Sequence, residues 1–313
     1  MYNSIMKLII QIPCYNEEKT LPVTLNEIPK TFEGIDEVEI LIIDDGSTDN
    51  TVEAAKNSGI KNIVSHSKNL GLARAFDTGL KTSLKLGADI IVNLDADNQY
   101  RASDIDKLIK PLLDKKADIV IGARPIEKIK SFSPLKKVLQ KLGSFVMRKI
   151  SGTDVLDAPS GFRAFTKEAA KRINIFDNYT YTMETIIQAS KKGLTVKSVP
   201  VEVNEDLRPS RLVKSNFDYI KRSVFTMMRF IIIYRPFKFF MIISLILFFL
   251  GLILGLRFLY FYITESGTGH IQSLILCAIL ILMGVQSLFF AIIADLLAIN
   301  RKLIEDVQLN IKK

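Results

Sequence analysis

Short apolar runs bounded by polar clusters fill the first 125 residues of the chain. KLIIQIP, VEILIIDD, NIVSHS, DIIVNLD and ADIVIGA are rich in Ile and Val, which is the signature of short buried strands. Between them the pattern predicts helices near Glu17–Ile28, Asp49–Asn57, Leu70–Leu86 and Ser103–Leu113. Strands alternating with helices predict βαβ units in an α/β fold with a mainly parallel sheet. Ser47, Thr48 or Asp49 is placed to cap the second helix. Ligands of such sheets bind outside the carboxyl ends of the strands.

The pattern changes near the end of the chain. Phe237–Thr264 and Ile271–Asn300 are almost continuously apolar. Each is long enough to cross a hydrocarbon core of ~30 Å at about 1.5 Å per helical residue. The loop between them, ESGTGH, has no Lys or Arg. Lys214, Lys221, Arg222, Arg229, Arg235 and Lys238 precede the first span, and Arg301, Lys302, Lys312 and Lys313 follow the second. The positive-inside rule then places both termini and the preceding domain in the cytoplasm. The opening MYNSIMKLII lacks a signal-peptide layout. Arg257 is expected to snorkel, and Lys238 is placed to partner Asp295. From Leu212 to Tyr234, Phe217, Ile220, Val224, Met228 and Ile231 share one helical face, as in a basic helix lying in the membrane interface. The expected organisation is a catalytic domain at 1–212, an amphipathic helix at 213–235, a membrane hairpin at 236–300 and a basic tail at 301–313.

Composition sharpens this reading. The net charge is +9 over 313 residues, and the positive charge gathers beside the apolar spans. That placement favours anionic lipid headgroups over nucleic acid. Cys14 and Cys277 lie in different compartments of this arrangement, so neither a disulfide nor a zinc site is expected.

Four polar clusters fall at predicted strand ends: PCYNEE, DDGSTD, DADNQ and GARP. In DADNQ, Asp95 and Asp97 can reach one hard cation, and Gln99 adds a third oxygen at the same spacing. Such oxygen donors suit Mg²⁺ or Mn²⁺ when substrate phosphates complete the shell. Taken alone, D-x-D better fits a solvated turn or a helix cap; its place after a buried strand and beside the other clusters favours the metal. Asp44 and Asp45 can accept hydrogen bonds from a nucleobase or ribose, and Pro13, Tyr15 and Glu17 can hold the same moiety. Arg124, Arg163, Arg208 and Arg211 are candidates for phosphate, which Arg meets bidentately. Asp157 and Glu184 are candidates for proton transfer or orientation, and His66 reads as a strand-end residue. There is no Ser-His-Asp set and no phosphate-cradling P-loop.

In this order, PCYNEE, IIDDGSTDNT, HSKNLGLARAFDTGL, LDADNQ, GAR and SGFRAF resemble the family 2 glycosyltransferases of GT-A fold. The resemblance is nearest to the polyprenyl-phosphate group, which includes the dolichol-phosphate mannose synthases and undecaprenyl-phosphate glucosyltransferases. It runs from about Lys7 to Lys214, and two C-terminal spans fit members of that group. The resemblance implies inverting transfer of a sugar from a UDP- or GDP-sugar to a polyprenyl phosphate. Carried onto this chain, Pro13, Tyr15, Glu17, Asp44, Asp45, Asp95, Ala96 and Asp97 would contact the sugar nucleotide. Asp95, Asp97 and Gln99 would hold the metal. Arg124, Arg208, Ser210 and Arg211 would meet the acceptor phosphate. Asp97, Asp157 and Arg124 would be the catalytic set, and a homo-oligomer is compatible with the group. The chain reads LRPSR where a glycine-containing loop is common, so its acceptor loop departs from the pattern. Transfer to a hydroxyl acceptor, such as a glycolipid or polysaccharide, is the alternative, and a non-catalytic scaffold is a third. The absence of Trp speaks against a processive synthase with a Q-x-x-R-W motif.

Overall fold

All five apolar runs form strands in the computed structural model, which describes residues 5–127, 129, 133–175, 181–204, 224–225, 228–229, 231–265 and 270–311. They are β1 (Lys7–Cys14), β2 (Glu37–Asp44), β3 (Asn62–Ser65), β4 (Ile90–Asn93) and β5 (Ile119–Ala123). The helices between them are α1 (Leu21–Glu27), α2 (Thr51–Asn57), α3 (Leu72–Lys85) and α4 (Ile105–Leu113). After β5 come α5 (Pro134–Ser151), β6 (Arg163–Thr166), α6 (Lys167–Arg172), α7 (Thr182–Lys191) and β7 (Val196–Pro200). The expected cap of α2 differs in detail. Asn50 is the capping position and makes no side-chain cap; the Asp49 carboxylate instead accepts from Thr51 N at 3.0 Å and from Glu18 N at 3.2 Å.

The seven strands form one sheet in the order β3-β2-β1-β4-β6-β5-β7. Strand β6 runs antiparallel to both neighbours and every other pair is parallel. β6 has no apolar-run signature, because it is short and opens with Arg163. Period-2 alternation sends Leu8, Ile10 and Ile12 into one core, together with Leu21 and Leu25 of α1 and Ile105, Leu108 and Leu112 of α4. Burying each of these side chains contributes roughly 1.5–3 kcal/mol. The opposite face of β1 carries Ile9 and Gln11, and Gln11 lies under Phe76 and Gly79 of α3.

The chain divides into two compact units, residues 1–223 and 224–313. The second holds α8 (Pro236–Glu265) and α9 (Ile271–Ile311). Both are long and apolar enough to cross a membrane, over Pro236–Thr264 and Ile271–Arg301. They approach closely where side chains are small. A Cβ on Gly251 would stand 2.8 Å from Ile281, and Ser244 Oγ donates to Gly284 O at 2.7 Å. Helix α9 continues to Ile311, so the segment expected as a tail is helical through that residue. No Lys238–Asp295 ion pair forms among the described residues. Most of the expected interfacial helix, including Phe217 and Ile220, lies outside the described residues.

Candidate active site

The parallel strands β1, β2, β4 and β5 end on one edge of the sheet, and this topology gathers the four polar clusters. Their local folding is tightly interlocked. Asn16 takes a left-handed φ of 56°. Its N–H donates to Ser47 Oγ at 2.9 Å, and the next N–H, of Glu17, donates to Thr51 Oγ1 at 2.8 Å. These bonds pin PCYNEE against DDGSTD. Pro13 ends in the strand, Tyr15 presents its ring with 41% exposure, and Glu17 is buried with Thr20 Oγ1 donating to it at 2.6 Å. Asp44 is buried at the end of β2, where Ser47 N donates to it at 3.0 Å.

Asp45 differs from its neighbour. Its two oxygens accept from Leu70 N at 2.9 Å and Gly71 N at 2.8 Å, and His66 Nδ1 lies 2.8 Å away. The carboxylate thus holds the segment that leads into α3. Gly46 is required here: it has a φ of 71°, and a Cβ would stand 2.5 Å from the Lys68 carbonyl carbon. His66 also reaches Thr78 Oγ1 at 2.9 Å, which accords with a strand-end role.

Asp95, Ala96 and Asp97 follow β4 directly. Ala96 O accepts from Thr24 Oγ1 at 3.1 Å, tying this turn to α1. Asp97 Oδ1 accepts from Gln99 N at 3.2 Å, and Gln99 O accepts from Asn204 N at 2.9 Å. Asp95 is packed against Gly161, where a Cβ would stand 2.7 Å from Asp95 Oδ2 and 3.0 Å from Tyr181 OH. Among the described residues no hydrogen bond reaches the Asp95 carboxylate. Burial, then the nearby charge of Asp97, raises its pKa to about 7, against the opposing pull of Arg124 and Arg163. A carboxylate crowded by a second carboxylate and lacking a donor is suited to a cation. No cluster of three His, Cys, Asp or Glu forms among the described residues. Two carboxylates with an amide oxygen nonetheless fit a divalent ion that shares its shell with substrate phosphates.

Arg124, at the end of β5, is fixed by Asp157. Its Nε donates to Asp157 Oδ2 at 2.7 Å and its Nη2 to Oδ1 at 3.1 Å, while the ring of Tyr100 lies 5.7 Å below the guanidinium. Asp157 is 1% exposed and both its oxygens serve Arg124. It therefore orients the arginine. Glu184 is buried in α7 and accepts from Gln188 Nε2 at 3.3 Å. Arg208, Ser210 and Arg211 lie outside the described residues.

Arg163 departs from its expected role as a phosphate ligand. It is wholly buried and donates to Ser160 O at 2.8 Å, Thr182 O at 2.7 Å and Ala158 O at 2.7 Å, and also to Thr185 Oγ1. Burial lowers its pKa to about 10, so it stays protonated near neutrality. The guanidinium binds the Ala158–Ser160 turn to the start of α7. Replacing Arg163 with Met should destabilise the fold by about 3 kcal/mol or more, since those acceptors lose a charged donor; thermal unfolding measures it.

Sequence reasoning missed Gln11, Asn93, Tyr100 and Tyr181, which line the back of the site. Gln11 and Asn93 interrupt otherwise apolar strands, and that interruption was the available signal.

A family model for glycosyl transferase family 2 matches residues 9–173. The chain belongs to that family. Among its relatives, the UDP-N-acetylglucosamine–dolichyl-phosphate N-acetylglucosaminyltransferase of Methanococcus voltae is 35% identical over 213 residues, covering 61% of this chain and 83% of that protein. The undecaprenyl-phosphate mannosyltransferase of Micrococcus luteus is 26% identical over 219 residues, covering 66% of this chain and 88% of that one. The fold is similar to that of glucosyl-3-phosphoglycerate synthase from Mycobacterium tuberculosis, solved with Mn²⁺ and UDP. That match has a TM-score of 0.58 at 19% identity, over 72% of this chain and 79% of the other. The family 2 chain described here therefore has a GT-A fold, a mixed sheet with its polar clusters on one edge.

Proposed function

We propose that this glycosyltransferase moves a sugar from a UDP- or GDP-sugar to a polyprenyl phosphate at the cytoplasmic face of a membrane, with inversion. The observation that carries the reading is the opposition of charges in one cleft: Asp95 and Asp97 stand near Arg124, whose field acts on Asp95. Two anions must meet there, a leaving diphosphate and an attacking phosphate. Mg²⁺ or Mn²⁺ held by Asp95, Asp97 and Gln99 would supply charge stabilisation for the leaving group. Pro13, Tyr15, Glu17, Asp44 and Asp45 surround the nucleoside position, Asp45 by shaping the adjoining loop.

Arg124 would hold the acceptor phosphate, oriented by Asp157, with Arg208, Ser210 and Arg211 completing that side. An acceptor phosphate is already anionic near neutrality and requires alignment more than a strong base. That fits an Asp157 whose oxygens both serve Arg124. Asn204, whose N–H donates to Gln99 O at 2.9 Å, precedes Arg208 by four positions in the sequence.

A lipid acceptor is further supported by α5. Leu135, Val138, Leu142 and Phe145 form a stripe on this helix, with exposures of 47, 62, 52 and 48%. Lys136, Lys137, Lys141, Arg148 and Lys149 accompany it and the helix has no acidic residue. An apolar stripe with a basic flank suits an anionic bilayer surface. Changing Lys136, Lys137 and Lys141 to Glu is expected to lower the rate with vesicle-borne acceptor by about 100-fold, given roughly 1 kcal/mol per basic residue near such a surface. Donor affinity should stay unchanged. Equal rates on anionic and neutral vesicles before and after the change would refute this contact.

The acceptor class is tested with purified protein in vesicles that carry polyprenyl phosphate, diacylglycerol or ceramide. Product on the phosphate alone supports the reading. Product on a hydroxyl lipid alone overturns it.

A further inference from the structure

Three polar residues lie side by side across the middle of the sheet, where apolar side chains would normally pack. Gln11 of β1 is in register with Asn93 of β4, and Asn93 with Arg163 of β6. All three are 0% exposed. A buried amide costs roughly 1–3 kcal/mol when its hydrogen bonds are unmade. Placing two of them on neighbouring core strands calls for a compensating arrangement.

That arrangement converges on the back of Asp95. Gln11 Nε2 donates to Asn93 Oδ1 at 2.9 Å. Asn93 Nδ2 donates to Gly161 O at 2.9 Å and to Tyr181 OH at 2.9 Å, and Tyr181 OH donates to Gly161 O at 3.2 Å. The Tyr181 ring stacks on Phe76 with centroids 3.7 Å apart and planes 4° from parallel. Gly161 N donates to Tyr100 OH at 3.1 Å. Gly161 is thus held by both its N–H and its carbonyl. Its Cα is the surface against which the Asp95 carboxylate rests, too close for a Cβ to intervene.

Asp95 receives no hydrogen bond of its own among the described residues, so its direction is set by this wall. We infer that Gln11, Asn93 and Tyr181 are positioning residues for Asp95, fixing Gly161 so that the carboxylate is aimed for divalent-metal binding. The inference rests on the proposed reading of Asp95 as a metal ligand. Groups that orient a ligating carboxylate typically alter metal affinity by about 10–100-fold when removed.

The test is direct binding of Mn²⁺ to the full-length protein in detergent, read by electron paramagnetic resonance with UDP and, separately, GDP present. The double variant Gln11→Leu/Asn93→Leu removes both amides together, which is far milder for stability than leaving one unpaired. It should fold and bind Mn²⁺ about tenfold more weakly. Tyr181→Phe keeps the stack on Phe76, loses the hydroxyl, and should bind roughly threefold more weakly. Metal-free nucleotide affinity should be unchanged in both. Wild-type Mn²⁺ affinity in the folded variants overturns the inference; if the double variant does not fold, Tyr181→Phe decides. A wild-type protein that binds no Mn²⁺ with either nucleotide overturns the metal reading itself.

Discussion

Asp95→Asn is expected to abolish transfer while making the metal-free protein more stable near pH 8. The carboxylate has a folded pKa of about 7 against an ordinary 3.8, from burial and the neighbouring Asp97 charge. Between those values the folded state holds a proton that the unfolded state has released. Stability contributed by this group is therefore greatest at low pH and falls as pH rises from about 4 to about 7. An amide of the same shape removes that penalty, a gain on the order of a few kcal/mol at pH 8 and little at pH 4. Transfer should drop by about 100-fold or more, because charge on the leaving diphosphate loses its counter-charge. Asp97→Ala should be equally inactive while remaining membrane-bound. Thermal unfolding at both pH values, with and without Mn²⁺ and nucleotide, separates the effects. Mn²⁺ should stabilise the wild type and not Asp95→Asn. A variant that loses stability at pH 8, or transfers at near wild-type rates, contradicts this assignment.

Asp157→Asn is expected to cost both stability and turnover through Arg124. The pair is bidentate and its carboxylate is 1% exposed, so removing one charge leaves the other poorly compensated, at about 3–5 kcal/mol. Arg124 then loses the alignment of its fork, and turnover should fall by roughly 100-fold. Two readouts distinguish orientation from proton transfer. The shape of the pH–rate profile should be unchanged in Asp157→Asn, since no proton passes through that group. Arg124→Lys should be about as slow, because an ammonium cannot reproduce the fork. Loss of the acidic limb from the profile, where a catalytic base would be protonated, would instead make Asp157 the base.

The sheet edge was legible because its signal is local. Each apolar run ends in its own polar cluster, and parallel strands must deliver those ends to one side. Asp95, Asp97 and Arg124 were placed at that edge in that way. What stayed hidden depends on tertiary pairing. Arg163 follows a glycine turn and looks like a phosphate ligand, yet β6 runs antiparallel beside β4 and carries the guanidinium into the core. Asp157 looks like an available carboxylate until Arg124 meets it across 33 positions of sequence. Asp45 resembles Asp44, but only the fold brings Leu70 and Gly71 to its oxygens. Gln11 and Asn93 were visible as polar breaks in apolar strands, and the register that joins them was not.

Transfer itself is the most direct test. Membranes containing the protein and polyprenyl phosphate are given a panel of labelled UDP- and GDP-sugars with Mg²⁺ or Mn²⁺. The expected result is one labelled lipid, formed from one donor, cleaved by mild acid as a sugar phosphodiester is, and absent when Asp97→Ala replaces the wild type. A labelled lipid that survives mild acid, or equal labelling with Asp97→Ala, would contradict the proposed chemistry.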